Sequence, residues 1–310
     1  MARRRCFFCE PHGRIQRSNP IPDQGNQVDV DALVARINWR HAAAFVLRGR
    51  AKLGESGSAF ILADANGEQF VLKFGRGTEI RPQRAEQITE RLREVGFPAP
   101  SYVCVGSDDG LKYSIQGMMP GKPNHRLNAA TVLELIAINR LQTGLGGDLP
   151  PEWPARVIEG VLKGFEGYCV IDTLRQYSAE SASMLETLQE MVVRHSGEIF
   201  VTRDIVHWDF NQGNVLSDGI HITGVVDWDG ACAGDRGFDL ATYLFYAYDD
   251  REVRDPLLRE TLDCSGRGAL AVYLAHMIVR QVDWSIRNHD SASVVRWMTT
   301  AKEILRDLTS

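Results

Sequence analysis

Long apolar runs are missing from this chain. No stretch approaches the roughly 18 consecutive apolar residues of a membrane span, so no membrane partner is expected. The basic start, Arg3-Arg4-Arg5, is followed only by Cys6-Phe7-Phe8-Cys9 before Glu10. That is too short for the apolar region of a secretory signal, and the expected location is the cytoplasm. Cysteine is sparse: six in 310 residues, at 6, 9, 104, 169, 232 and 264. Thiols scattered in this way in a reducing compartment are free, not a disulfide framework. Positive charge is not in excess, since 35 Lys and Arg against 40 Asp and Glu leave a formal net charge of −5. This argues against nucleic acid as the main partner. The eight His are spread thinly, without the clusters that a metal-dependent hydrolase uses. There is no internal repeat and no low-complexity segment.

A chain of this length buries roughly 75% of its unfolded surface, which suits one large domain or two lobes. Residues 1–27 are rich in Arg, Pro, Asn and Gln and lack periodicity. They read as a poorly ordered extension. Within them Cys6-x-x-Cys9 and His12 make three quarters of a zinc site with no fourth ligand nearby. Val28–Asn38 carries Val30, Leu33, Val34 and Ile37 at helical spacing, with Asp29 or Asp31 near its start. Phe60–Lys73 reads as a hairpin, with Asn66-Gly67 supplying the two positive-φ positions of a type I′ turn. The turn before it, with Ser56, Gly57 and Ser58, can let backbone N–H groups approach phosphates, though it is no G-x-G-x-x-G. Pro82–Val95 is a helix with Ala85, Ile88, Leu92 and Val95 on one face, stopped by Gly96 and Pro98. Tyr102–Val105 and Leu111–Ile115 form a second hairpin. After Gln116-Gly117-Met118-Met119-Pro120-Gly121 the pattern changes from strands to helices. The expected division is therefore a first lobe at 28–120, a hinge at Gln116–Gly121 and a second lobe at 121–310. A nucleotide base bound in the crevice would meet the hinge backbone. The later helices are expected at 128–142 (Leu133, Ile136, Ala137 and Leu141 inward), within 153–175, and at 181–195, 239–248, 252–263, 267–288 and 292–308.

The informative stretch is Ile205–Asp239. It holds His207, Asp209 and Asn214 as H-x-D-x-x-x-x-N, then an apolar strand and Asp227. Asp209 follows Ile205-Val206, so it emerges at a strand end, where a carboxylate can accept a hydroxyl proton. Asn214 and Asp227 offer hard oxygen donors of the kind Mg²⁺ takes beside phosphates. One group to orient a nucleophile and two to hold a divalent ion are what phosphoryl transfer requires. His207 reads as a structural histidine on the loop backbone. Asp229 and Asp235 read as turn carboxylates. Asp239 reads as a helix N-cap or as a brace for the loop. Lys73, at the end of its strand, is either an edge lysine or a phosphate ligand. Glu86 and Glu90, four apart on their helix, are candidates to pair with it. A zinc-type hydrolase using His207, Asp209 and Asp227, and a nucleotide-binding pseudokinase, are the competing readings.

The motifs VHWDFNQGNVL and GVVDWDGACAGDRGFDLA, with FVLKF, EQITERLREVGFPAP and YSIQGMMPG in the same order, resemble the aminoglycoside phosphotransferase family over residues 45–250. The SGSAF turn and the aromatic-rich C-terminal helices look most similar to its hygromycin-type branch. The resemblance implies an α+β, two-lobed protein-kinase-like fold with a small antiparallel-sheet N-lobe and a mainly helical C-lobe. It implies Asp209 as catalytic base, Asn214 and Asp227 as Mg²⁺ ligands, and Lys73 on the nucleotide phosphates, paired with Glu86. It implies Ser56, Gly57 and Ser58 near those phosphates and the Gln116–Met119 backbone on the base. The donor would be ATP or GTP. The acceptor would be a hydroxyl of a small, cationic antibiotic, with a metabolite alcohol such as choline, homoserine or a sugar as the alternative. The implied assembly is a monomer or homodimer. Asp249, Asp250, Glu252 and Asp255 are candidates for a cationic acceptor by position. Trp208 stands where the family pattern has Gly, and is expected to crowd or shape the acceptor side.

Overall fold

The computed structural model describes residues 28–51, 59–77, 80–124, 127–150, 152–165 and 167–309. Its N-terminal part is a five-stranded antiparallel sheet of β1 (Val46–Arg50), β2 (Ala59–Ala63), β3 (Gln69–Gly75), β4 (Tyr102–Asp108) and β5 (Leu111–Gly117), in the order β1-β2-β3-β5-β4. Helix α1 (Val30–His41) covers it. Asp29 caps α1 by accepting from Ala32 N at 3.0 Å. Leu33, Val34 and Ile37 then point inward onto Leu62, Phe70, Leu72, Tyr113 and Ile115.

The two hairpins reverse the expected turn chemistry. Between β2 and β3 only Gly67 has positive φ, at 83°. Here Asp64 organises the turn, its Oδ1 accepting from Asn66 N and Glu68 N at 2.9 and 2.8 Å. An Asx-type turn supplies from the side chain what a second left-handed residue would have supplied. The two-residue turn with both φ positive lies instead between β4 and β5, at Asp109 (47°) and Gly110 (71°).

Helix α2 (Pro82–Glu94) has Pro82 in its first turn and ends before Gly96, whose φ is +84°. Its apolar face, Ala85, Ile88 and Leu92, joins the large C-terminal core and not the cluster under the sheet. Arg81 and Arg84 at its start both reach Glu152, and Arg91 forks onto Asp148.

The C-terminal part is mainly helical: α3 (Ala129–Arg140), α4 (Ala155–Leu162), α5 (Ile171–Tyr177), α6 (Ala179–His195), α7 (Gly237–Tyr246), α8 (Arg251–Asn288) and α9 (Ser291–Thr309). Asn128 caps α3 through Ala130 N and Thr131 N. The buried face of α3 is Val132, Leu135, Ile136 and Asn139, while Leu133, expected inward, is 60% exposed. Helix α8 is broken at Gly266 (φ 83°, ψ 169°), where the sequence pattern separates two helices. Short strands carry the loops between them. β6 (Lys122–Pro123), β8 (Val215–Ser217) and β9 (Ile222–Val225) form one sheet, and β7 (Asp204–Val206) pairs with β10 (Cys232–Gly234). This is the α+β, two-lobed kinase-like architecture. Among the described residues no helix is long and apolar enough to cross a membrane. Cys104, Cys169, Cys232 and Cys264 are free thiols. Cys6, Cys9 and His12 lie outside the described residues, as do Ser56, Gly57 and Ser58.

Candidate active site

The chain leaves β7 at Val206 and turns sharply, with Trp208 at φ +78°. Asp239, buried in the first turn of α7, holds that turn. Its Oδ2 accepts from His207 N (2.8 Å) and Gln142 Nε2 (2.7 Å), and its Oδ1 from Trp208 N (3.1 Å). The N-cap position of α7 is Arg236, so of the two roles open to Asp239 the structure has the brace. Complete burial pushes its carboxyl up to about 7 against those three donors.

His207 is buried. Its Nε2 lies 2.9 Å from the Val226 carbonyl, and its Nδ1 accepts from Asp209 N at 3.2 Å. These partners assign the neutral tautomer with the proton on Nε2, and burial holds the ring's pKa down. The imidazole joins the Asp209 loop to the strand that delivers Asp227. Trp208 is buried among aromatic rings. Its indole is 6% exposed, stacked on Phe238 (5.0 Å, 19°), with the Arg156 guanidinium 3.7 Å from its ring centroid. The edges of Trp153, Tyr168 and His276 close the cage. Trp208 therefore props the loop from the core side.

Asp209 is held on three sides. Oδ1 accepts from Arg280 Nη2 (2.6 Å) and Asn211 Nδ2 (2.9 Å), and Oδ2 from Asn214 Nδ2 (3.1 Å). Burial alone would raise the carboxyl, but the Arg280 charge and the amide donors outweigh it and hold the group below the usual carboxylate range. Asn214 Nδ2 also donates to the Asp209 carbonyl at 2.9 Å. Both amide protons being spent on Asp209, the Asn214 Oδ1 has no protein partner among the described residues.

Asp227 sits in the left-handed region (φ 74°, ψ 59°) ahead of the 3₁₀ turn Trp228–Gly230. Its Oδ1 takes the Lys73 ammonium at 2.5 Å, and Asp229 Oδ2 lies 3.4 Å from the same nitrogen. Burial would lower the lysine's pKa, but the two carboxylates overcome it and raise it. The expected Lys73–Glu86 pair is not formed. Glu86 is raised instead by partial burial and by the Glu90 charge. Asp229 is thus a second Lys73 partner where the sequence suggested a turn carboxylate.

At the hinge, Gln116 is buried and its Nε2 donates to Ser114 Oγ. Gly117 N donates to Ser101 O (2.8 Å) and Met118 N to Gln69 O (3.2 Å). Met119 N and Gly121 N are hinge donors without a backbone partner among the described residues. Asp250 caps α8 through Glu252 N, and Asp255 pairs with Arg254. The acidic group proposed for a cationic acceptor is in part used locally. Asp229 was named from sequence, but no signal marked it as a Lys73 partner, and Arg280 was missed. Arg280 had a signal: it is a lone cation in the apolar run of α8, AHMIVRQVDW, where a charge needs a buried partner.

These features coincide with those of a known class. The family model of the APH phosphotransferase enzyme family matches residues 50–273. The chain belongs to that family and is a small-molecule phosphotransferase. A thermostable mutant of aminoglycoside phosphotransferase APH(4)-Ia, solved with ADP and hygromycin B, shares the fold. Its TM-score is 0.63 at 17% identity, covering 89% of this chain and 97% of the other. Choline kinase LicA from Streptococcus pneumoniae superposes with a TM-score of 0.66 at 14% identity, covering 90% and 99%. Hygromycin-B 4-O-kinase of Escherichia coli is 36% identical over 66 residues, which is 21% of this chain and 19% of that protein. The match thus spans about a fifth of the relative's length.

Proposed function

We propose that this protein is a cytoplasmic, Mg²⁺-dependent kinase that transfers the γ-phosphoryl group of ATP or GTP to a hydroxyl of a small polar antibiotic, an aminoglycoside, and so confers resistance. The observation that carries the reading is a pair of contacts, Asp209 with Asn214 and Asp227 with Lys73 of the sheet, whose two stretches are joined through the His207 ring. In this reading the 28–120 segment holds the nucleotide and the 121–310 segment the acceptor. Met119 N meets the base, Lys73 the phosphates, and Ser56, Gly57 and Ser58 the phosphate side. Asp209, ionised at neutral pH, orients and deprotonates the acceptor hydroxyl.

The donor set fits a hard cation. Among the described residues Asn214 Oδ1 and the second oxygen of Asp227 are without protein partners, and Asp227 already attracts a cation in Lys73. Among the described residues no three His, Cys, Asp or Glu side chains converge as metal ligands. Two protein oxygens beside phosphate and water oxygens suit Mg²⁺, which keeps several waters. Bound there, Mg²⁺ supplies charge neutralisation to the phosphates. Hygromycin B is the first acceptor to test, from the local likeness to the hygromycin-B kinase.

The test is an ADP-release and resistance panel of aminoglycosides, hygromycin B included, alongside choline, homoserine and sugar alcohols. Turnover of an aminoglycoside by wild type, absent in Asp209→Ala, is expected. Turnover of a metabolite alcohol alone would replace the substrate, and equal activity in Asp209→Ala would remove the mechanism.

A further inference from the structure

Arg280 belongs to none of the motifs that define the site. It lies in the second half of α8, far along the chain, yet its guanidinium reaches the Asp209 loop with both terminal nitrogens. Nη1 donates to the Trp208 carbonyl at 3.0 Å and Nη2 to Asp209 Oδ1 at 2.6 Å. The Tyr168 ring covers it, with 5.9 Å from guanidinium carbon to ring centroid. The carbonyl of Trp208 and the side chain of the next residue, Asp209, are thereby gripped by one planar fork, a geometry that a lysine ammonium does not reproduce.

The consequence lies in the lone pairs. A carboxylate has about four acceptor positions, two on each oxygen. On Asp209, among the described residues, Oδ1 has both filled, by Arg280 and Asn211, whereas Oδ2 has one filled, by Asn214. We propose that Arg280 is the positioning residue of Asp209: it locks Oδ1 to the Trp208 carbonyl, so that Oδ2 is the oxygen presented to the acceptor hydroxyl. Asn214 then ties that same oxygen to the donor side of the cleft. The inference rests on the phosphotransferase reading for its hydroxyl, but the geometry it asserts is a property of the protein alone.

A purely architectural Arg280 would pin α8 to the loop and do nothing else. Two measurements separate the roles. Crystal structures of wild type and Arg280→Ala are expected to show the Asp209 carboxylate in a different rotamer, with the His207 and Trp208 backbone still held by Asp239. In kinetics, Arg280→Ala is expected to lose about 10²-fold in kcat, the cost of a base misplaced by about 1 Å, with nucleotide KM unchanged. Millimolar guanidinium is expected to restore part of that kcat. Arg280→Lys keeps the charge without the fork and is expected to fall between wild type and Arg280→Ala; it carries the test if the alanine variant does not fold. An unchanged Asp209 rotamer overturns the proposal, as does a kcat in Arg280→Lys equal to wild type. A wild type inactive on every acceptor overturns the phosphotransfer reading and leaves the crystal structures to decide this one.

Discussion

Lys73 and Asp227 are 154 residues apart in sequence, and the lysine Nζ lies 2.5 Å from Asp227 Oδ1. The contact joins the sheet to the C-terminal lobe through the carboxylate proposed to hold a divalent ion. In that proposal lysine and metal compete for one anion. At an effective dielectric near 20, a like charge at about 4 Å costs on the order of 4 kcal/mol before screening. Lys73→Met is accordingly expected to bind Mg²⁺ or Mn²⁺ at least several-fold more tightly than wild type when no nucleotide is present. Calorimetric titration measures it, and equal affinities would place the metal elsewhere.

Asp209→Ala is expected to lower kcat by about 10²–10⁴-fold while nucleotide affinity stays within a few-fold of wild type. The side chain touches Arg280, Asn211 and Asn214 and not Lys73. Steady-state kinetics together with fluorescent-nucleotide binding make the comparison. A loss of nucleotide binding as large as the loss of kcat would contradict it.

Trp208→Gly restores the residue common in the family pattern and relieves a positive φ of 78°, yet it empties a cage of aromatic rings. Truncating a buried Trp costs about 3–5 kcal/mol, and the left-handed conformation returns on the order of 1–3 kcal/mol when glycine takes it. A net loss is expected, read as a lower midpoint in urea. Acceptor KM is expected to stay unchanged because the indole faces the core. A variant as stable as wild type with an altered acceptor KM would move Trp208 to the acceptor side.

Asp239 gives a pH signature. Its folded-state carboxyl stands at about 7, above the ordinary carboxylate value of about 3.9, so folding takes up a proton between those values. Stability from this group is fully present below pH ~4 and declines as pH rises towards ~7, where it levels off. The difference in melting temperature between wild type and Asp239→Asn is expected to shift against wild type across that window. A shift in its favour would mean that the three N–H donors keep the carboxylate ionised.

The spacing of His207, Asp209 and Asn214 was readable because all three lie on one loop, where sequence distance and spatial distance run together. Lys73 was readable as a cation on its strand, which runs on to Gly75 and does not end at the lysine, but its partner was not. Glu86 and Asp229 are both carboxylates within reach of the crevice, and only the docking of α2 on the C-terminal core decides between them. The outward placement of Leu133 has a similar origin, since the helix turns its buried face to tertiary neighbours that a periodicity count does not contain. The type I′ turn expected at Asn66-Gly67 did not form because the Asp64 side chain settled that turn differently. The two-lobed architecture itself was legible in the change from strands to helices after Gly121.

The break at Gly266 makes the second half of α8 a measuring rod for the site. From Gly266 to Arg280 is 14 residues, close to four turns at about 3.6 residues per turn. Arg280 stands on the face of that helix that meets the loop, and its guanidinium reaches Asp209 from there. Adding one residue between them would leave the rod intact but turn Arg280 away by about 100°, so the register of a distant helix and the aim of a carboxylate are one and the same quantity.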